Sequence, residues 1–187
     1  MTRKLFLVLA ALVLLPLGAF AQEATPTPPA NPMVFDDPAM HFVAPDGYKP
    51  LGQRQIDVDH LSDDPQVVAA WVEPGGRPKE LLIQQQAFDG TLDGFVSNYT
   101  QFIRNTFSDA QVRDNRPVSL KNGMPAMYLD ATMGSGFGTT KLYAVAWIDG
   151  QRGVVISVKA LIGELDEKAA LKLLSNASAV RYPPNRG

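Results

Sequence analysis

The sequence contains no cysteine and only two histidines among its 187 residues. The absence of cysteine excludes disulfide bridges, iron–sulfur clusters, zinc sites with cysteine ligands and thiol nucleophiles. Two histidines leave little material for histidine-based catalysis or for a histidine-rich metal site. Nothing in these residue counts calls for a cofactor, and we expect none.

Basic residues are also few, and none of them form a cluster. The chain has 17 Lys and Arg residues against 19 Asp and Glu residues, which gives a formal net charge of −2. Nucleic acids and anionic membranes are bound by clustered Lys and Arg side chains that neutralise phosphate groups. The composition therefore argues against nucleic acid as a partner and against a polybasic membrane contact.

Residues 1–21 have the pattern of a secretory signal peptide. Two cations at Arg3 and Lys4 precede an unbroken apolar run, and Ala19-Phe20-Ala21 supplies the small residues that a signal peptidase recognises. An uncleaved anchor is the alternative, but the apolar stretch is shorter than the roughly 20 residues that a membrane helix needs. We expect cleavage before Gln22, export to the periplasm or the exterior, and no membrane span in the mature chain.

Proline-rich composition separates the remaining chain into three parts. Residues 22–39 are dense in proline, which removes backbone donors and favours extended geometry, so they are predicted to form a disordered tether. Residues 183–187 resemble a flexible tail. Residues 40–182 are predicted to form a single folded domain, which is large enough to hold together without disulfides.

Two segments have the apolar spacing of helices. Between Leu92 and Phe107 the apolar residues recur every three or four positions, and Asp89 or Thr91 could cap the start of that helix. A second helix is predicted for about Glu164–Ala177. The apolar stripe of the second helix consists of Leu165, Ala169, Leu173, Leu174 and Ala177.

The segments on either side of the first helix have the pattern of short strands. Tight-turn sequences such as Asn122-Gly123 and Asp149-Gly150 connect them, which makes the sheet mostly antiparallel. Lys141–Ile148 is apolar on both faces and is predicted to be a central strand. Amphipathic helices must bury their apolar stripes against such a sheet. The predicted fold class is therefore α+β, with a mostly antiparallel sheet and two packed helices.

This order of elements resembles the PsbP-like fold family, which includes PsbP-type photosystem proteins, DcrB-like periplasmic proteins and a Ran-binding nuclear import factor. Three segments are similar to that family: 42–48 (FVAPDGY), 120–126 (LKNGMPA) and 152–158 (RGVVISV). The resemblance implies a PsbP-like arrangement and a role in binding or assembly. It supplies no catalytic residues.

An acidic stretch is the most suggestive candidate for a metal site. Asp57, Asp59, His60, Asp63 and Asp64 lie within eight residues, and oxygen-rich ligation would suit Ca²⁺ or Mg²⁺. The stretch lacks the glycine and the terminal glutamate of an EF-hand loop. A solvated acidic loop is the simpler interpretation, so these residues are weak candidates only.

A glycine-rich segment before Lys141 is a weak candidate for a binding loop. A phosphate-binding loop runs from a strand into a helix, whereas this segment connects two predicted strands. A hairpin loop whose glycines permit the close approach of a partner is therefore favoured. Its candidate residues are Gly134, Ser135, Gly136, Phe137 and Gly138.

No catalytic signature is present in the sequence. The Gly-x-Ser-x-Gly motif is absent, and no serine is paired with histidine in a known motif. The sequence favours an exported, non-enzymatic binding or accessory protein of the cell envelope, whose partner is a protein or another envelope component. One alternative is a small-ligand carrier with an apolar pocket between the sheet and the helices. Another alternative is a divergent carboxylate-based enzyme.

Overall fold

The computed structural model describes residues 33–54, 61–75, 79–107, 109–135 and 138–175. Within these residues the chain forms two sheets and two helices. The strands are β1 (Val34–Asp37), β2 (Met40–Val43), β3 (Lys49–Gln53), β4 (Gln66–Glu73), β5 (Lys79–Ala87), β6 (Gln111–Ser119), β7 (Pro125–Ser135), β8 (Gly138–Asp149) and β9 (Arg152–Leu161). The helices are α1 (Leu92–Thr106) and α2 (Glu167–Leu174).

Seven strands form the main sheet in the order β3-β4-β5-β9-β8-β7-β6, and every neighbouring pair is antiparallel. The strands β1 and β2 form a separate two-stranded hairpin. The long strands β8 and β9 lie inside the main sheet, and the whole of β9 pairs with residues 140–149 of β8. The predicted α+β class, the mostly antiparallel sheet and the interior position of Lys141–Ile148 are confirmed.

Helix α1 covers one face of the main sheet. The side chain of Thr91 caps it by accepting a hydrogen bond from the Gly94 amide, which selects Thr91 from the two predicted caps. The predicted stripe faces the sheet, with Phe95, Tyr99 and Ile103 fully buried against side chains of β7, β8 and β9. The helix begins and ends as its apolar spacing indicates.

The opposite face of the sheet carries α2 together with the β1–β2 hairpin. This second core contains Trp71 and Trp147 from the sheet and Phe42 from the hairpin. The side chain of Arg116 on β6 forms ion pairs with Asp114 and with Glu167 of α2. The sheet is therefore the middle layer of a three-layer domain, and each face has its own apolar core.

Two sequence predictions need correction at element boundaries. The tether was predicted to extend to residue 39, but Val34–Asp37 forms β1 and pairs with β2, while Phe35 is buried. Prolines precede and follow this strand, so the composition of the segment resembles that of the tether. The apolar face of the strand is therefore not evident from the sequence. Helix α2 begins at Glu167 rather than Glu164, because the Asp166 side chain accepts from the Ala169 amide and caps the helix there.

The predicted stripe of α2 is also partly wrong. Ala169 is exposed, whereas Ala170 and Leu174 face the core. Alternation along β7 was predicted correctly, since Leu129, Ala131 and Met133 all lie in the core beneath α1. Across the described ranges, neither helix has the length and apolar character needed to cross a bilayer.

Candidate binding site

A cleft opens at one end of the main sheet, where the end of β5 meets the β8–β9 turn and the start of α1. Its volume is about 1000 Å³. Ligand pockets typically have volumes of about 300–1000 Å³, so this cleft is at the upper end of that range. Its lining consists of Leu61, Asp63, Gln86, Ala87, Phe88, Asp89, Asn98, Asp149, Gly150, Gln151 and Arg152.

Backbone hydrogen bonds hold the walls of the cleft together. The amide of Ala87 donates to the Ser62 carbonyl at 2.8 Å, and the amide of Phe88 donates to the Gln151 carbonyl at 2.9 Å. These bonds fasten the segment before β4 and the β8–β9 turn to the end of β5. Gly150 has a φ of 62°, a left-handed conformation that glycine adopts without steric cost and that suits this tight turn.

A buried polar cluster lies at the sheet end of the cleft and is centred on Arg152. The Arg152 side chain is 5% exposed; its Nη2 donates to Asp149 Oδ2 at 3.0 Å, and its Nη1 lies 3.5 Å from Asp37 Oδ2. Gln85 accepts from Arg152 Nη1 at 3.4 Å and donates to the Asp37 carboxylate. The guanidinium is thus shared by two carboxylates, and the cluster fixes the β1–β2 hairpin to the end of the sheet.

Two further glutamines of β5 point to the opposite face, beneath α1. The hydroxyl of Tyr99 donates to Gln84 Oε1 at 2.8 Å, and burial raises the pKa of Tyr99 above its usual value. Gln86 lines the cleft and is 3% exposed, yet its Oε1 has no hydrogen-bond partner in the described part of the chain. A buried carbonyl without a donor costs about 1–3 kcal/mol, so Gln86 Oε1 is an unsatisfied acceptor buried in the wall of this cleft.

The rim of the cleft is acidic. Asp63 and Asp89 are both exposed, and neither forms an ion pair with any residue that the structure describes. The third carboxylate, Asp149, already shares the charge of Arg152. The cleft therefore carries more negative than positive charge.

The predicted metal candidates do not form a site in the part of the chain that the structure describes. Asp57, Asp59 and His60 lie outside the described residues, and Asp63 and Asp64 are exposed. No group of three or more metal-ligating side chains is found among the residues described. Of the two candidates that the structure describes, Asp63 lines the cleft and Asp64 does not.

The predicted glycine-rich loop lies at the far end of the sheet. Ser135 pairs with Gly138 across the β7–β8 hairpin, and Gly134 lies one position before Ser135. Gly136 and Phe137 fall outside the described residues. Since β8 runs from Gly138 at that hairpin to Asp149 at the cleft, the structure does not bring the loop and the cleft together.

Sequence reasoning missed the residues that form the polar cluster. The sequence did contain one signal of this cluster, the run Gln84-Gln85-Gln86 directly after an apolar strand segment. Successive side chains of a strand point to opposite faces of the sheet, so three consecutive glutamines place amide groups in both cores. Arg152 was singled out from the sequence only as part of the segment 152–158, which is similar to the PsbP-like family. Its partner Asp37 was assigned to the tether, so the cluster could not be assembled from the sequence.

Comparisons with known proteins support the fold and leave the function open. No protein-family model matches the chain, and no curated protein matches it. A Pseudomonas aeruginosa protein of unknown function, PA94, has a similar structure, with a TM-score of 0.50 at 13% identity over 80% of this chain and 96% of that one. LpqN of Mycobacterium tuberculosis, involved in cell envelope biogenesis, gives a TM-score of 0.45 at 13% identity over 76% of this chain and 86% of LpqN.

At such low identity the likeness to PA94 shows a shared fold and nothing about activity. The resemblance to the PsbP-like family stays a prediction, because no family model matches the chain.

Proposed function

We propose that this chain is an exported, non-catalytic binding or accessory protein of the cell envelope that engages its partner through the cleft at the end of the sheet. The N-terminal sequence supports export, since residues 1–21 have the charge, apolar and cleavage pattern of a signal peptide. The observation that carries the proposal is the cleft itself, which four separate chain segments form above a fixed polar cluster.

The construction of the cleft supports binding by a pre-formed site. Arg152, Asp37 and Gln85 hold one another in place, and the backbone bonds of Ala87 and Phe88 fix the walls. Binding to a pre-organised surface avoids the entropy cost of ordering side chains and loops. A partner that docks here meets a surface already in its bound shape.

The arrangement of the carboxylates favours binding over catalysis. Asp37 and Asp149 are both engaged by Arg152, whereas Asp63 and Asp89 are exposed to solvent. Carboxyl groups that act as general acids or bases near neutral pH are usually tuned by burial. The carboxylate-based enzyme therefore remains the less favoured alternative, and measurable turnover on a broad panel of hydrolase substrates would support it.

A small-ligand carrier is the second candidate, and the volume of the cleft favours it. The expected pocket was apolar and lay between the sheet and the helices. The described cleft lies instead at the end of the sheet and carries Gln86, Asn98 and three aspartates. The ligand of such a carrier would be polar, and native mass spectrometry of the protein purified from its envelope would detect it as a bound mass.

Site-specific photo-cross-linking tests the proposal in envelopes of the native cell. A photoreactive phenylalanine at Gln151, exposed on the cleft, is compared with one at Ile162, which is 51% exposed beyond the other end of β9. We expect a discrete adduct at position 151 that is absent at position 162. Identical adducts at both positions, or none at 151, would contradict a partner at the cleft.

A further inference from the structure

We propose that the cleft recognises a cationic side chain, Lys or Arg, presented by a segment of a partner polypeptide. This inference rests on the proposed function and adds the chemistry of the partner. The features that carry it are an uncompensated acidic rim, a buried arginine whose charge is already shared, an unpaired buried acceptor and an aromatic side chain in the wall.

The rim supplies negative charge that no described side chain neutralises. Asp63 stands on the segment before β4 and Asp89 stands between β5 and α1, so the two carboxylates approach the cleft from different walls. Both are exposed and neither has an ion-pair partner in the ranges that the structure describes. Field lines from like charges that line a cleft concentrate there and attract the opposite charge.

Arg152, the one cation in the described lining of the cleft, does not cancel this charge. Arg152 is shared between Asp37 at 3.5 Å and Asp149 at 3.0 Å, so two carboxylates surround one guanidinium. The buried cluster at the sheet end of the cleft therefore carries a net negative charge. An anionic ligand would meet the carboxylates on the rim, and both Nη atoms of Arg152 already face Asp37 and Asp149. Only the buried Nε of Arg152 lacks an acceptor among the residues described.

Gln86 and Phe88 give the cleft the polar and aromatic contacts that a cation uses. Gln86 lines the cleft, is 3% exposed, and its Oε1 lacks a donor among the residues described. An incoming ammonium or guanidinium carries several N–H donors and no acceptor, which matches an unpaired carbonyl and two carboxylates. Phe88 is half-buried in the same wall, and aromatic faces attract such cations.

The size of the cleft favours an extended ligand over a single metal ion. No group of three or more metal-ligating side chains is found among the described residues, the described lining of the cleft included. A cleft of about 1000 Å³ accommodates more than one side chain. A basic stretch of polypeptide offers both the charge and the length that this surface can contact.

The test uses a fluorescein-labelled tri-arginine peptide amide as the probe, with the full-length protein and fluorescence anisotropy as the readout. The matched control is the tri-citrulline peptide, which has nearly the same shape but no charge. We expect saturable binding of the arginine peptide that weakens as salt is raised, since screening reduces contacts between exposed charges. Equal binding of the citrulline peptide, or no binding of either peptide, would overturn the inference.

Two double variants locate the site. Asp63→Asn with Asp89→Asn removes both rim charges, whereas Asp46→Asn with Asp109→Asn removes two exposed charges outside the cleft lining. We expect the first pair of substitutions to weaken binding of the arginine peptide about 5- to 20-fold, which corresponds to the loss of two partly screened ion pairs. Equal weakening by both pairs would mean unspecific attraction and would overturn the proposed site.

A third measurement tests whether the cation must be part of a polypeptide. Spermidine carries the same charge chemistry without a polypeptide, and we expect it to compete with the arginine peptide only weakly. Spermidine that binds more tightly than the peptide would overturn the assignment to a polypeptide partner.

The cross-linking at Gln151 separates this inference from the proposed function. A partner that is still captured at Gln151 in the Asp63→Asn, Asp89→Asn background, with unchanged yield, would overturn the cationic contact and leave the proposed function standing. Failure to capture any partner at Gln151 in the unmodified background would count against the proposed function.

Discussion

The ring of Phe95 in α1 lies directly against Gly153 of β9, so close that a Cβ atom at position 153 would come within 2.2 Å of Phe95 Cε2. Gly153 does not have a left-handed φ, so its role is close approach rather than backbone freedom. This contact between Phe95 and Gly153 packs the start of α1 against the sheet, next to Arg152.

Gly153→Ala should destabilise the domain by about 1–3 kcal/mol, because the added methyl group must displace the Phe95 ring in a filled core. The measurement is urea unfolding monitored by tryptophan fluorescence. Gly75→Ala is the matched control, since a Cβ atom there meets nothing within 4 Å. A loss no greater than that of the control would contradict the close contact.

Arg152→Met should cost about 3 kcal/mol of unfolding free energy, because it leaves the Asp37 and Asp149 carboxylates without their shared cation in a largely buried position. Lys79→Met is the control, as it breaks a more exposed cross-strand pair with Glu73 that should be worth about 1 kcal/mol or less. Similar losses for both variants in urea unfolding would show that the cluster does not fasten the hairpin.

Tyr99→Phe should destabilise the domain by about 1–2 kcal/mol, because it leaves Gln84 Oε1 buried without its donor. Tyr48→Phe provides the comparison: Tyr48 is 7% exposed, but its hydroxyl has no hydrogen-bond partner among the described residues. Removing that hydroxyl should be close to neutral at pH 7. Thermal unfolding of both variants checks the difference, and the reverse order of stability would contradict these hydrogen-bond assignments.

The domain should lose stability at alkaline pH. Burial, with the charge of Glu73 as the lesser cause, raises the pKa of Tyr48 to about 12. An unfolded tyrosine releases its proton near pH 10. Between about pH 10 and 12 the unfolded state therefore binds fewer protons than the native state, and the unfolding free energy falls as pH rises.

Urea unfolding at a series of alkaline pH values measures this fall, and Tyr48→Phe should make it shallower. Burial also raises the pKa of Tyr99 and of Tyr128, so part of the fall should persist in the variant. A variant whose stability falls as steeply as that of the unmodified protein would show that Tyr48 does not contribute.

Local patterns were sufficient to predict most of the fold. The spacing of apolar residues along α1 and the alternation along β7 are consequences of helix and strand geometry, so both could be read from the sequence. The turn sequences Asn122-Gly123 and Asp149-Gly150 indicated which strands pair. Helix α2 was placed less accurately because it has only eight residues, and its cap decides where it begins.

The polar cluster at the cleft could not be predicted because its parts are distant in sequence. Gln85 lies 48 residues from Asp37 and 67 residues from Arg152, and no local pattern links positions so far apart. Val34–Asp37 shows the same difficulty, since a four-residue strand in a proline-rich segment is recognised only through its pairing with β2. A buried arginine that holds two carboxylates is a property of the assembled fold.

Amide chemical-shift mapping with the tri-arginine peptide tests the cleft most directly. The proposal predicts that the shifts cluster at Gln86, Phe88, Gly150 and Gln151, with Asp63 and Asp89 on the rim. Shifts that spread evenly over acidic surface residues, or that cluster instead at the β7–β8 hairpin, would contradict it.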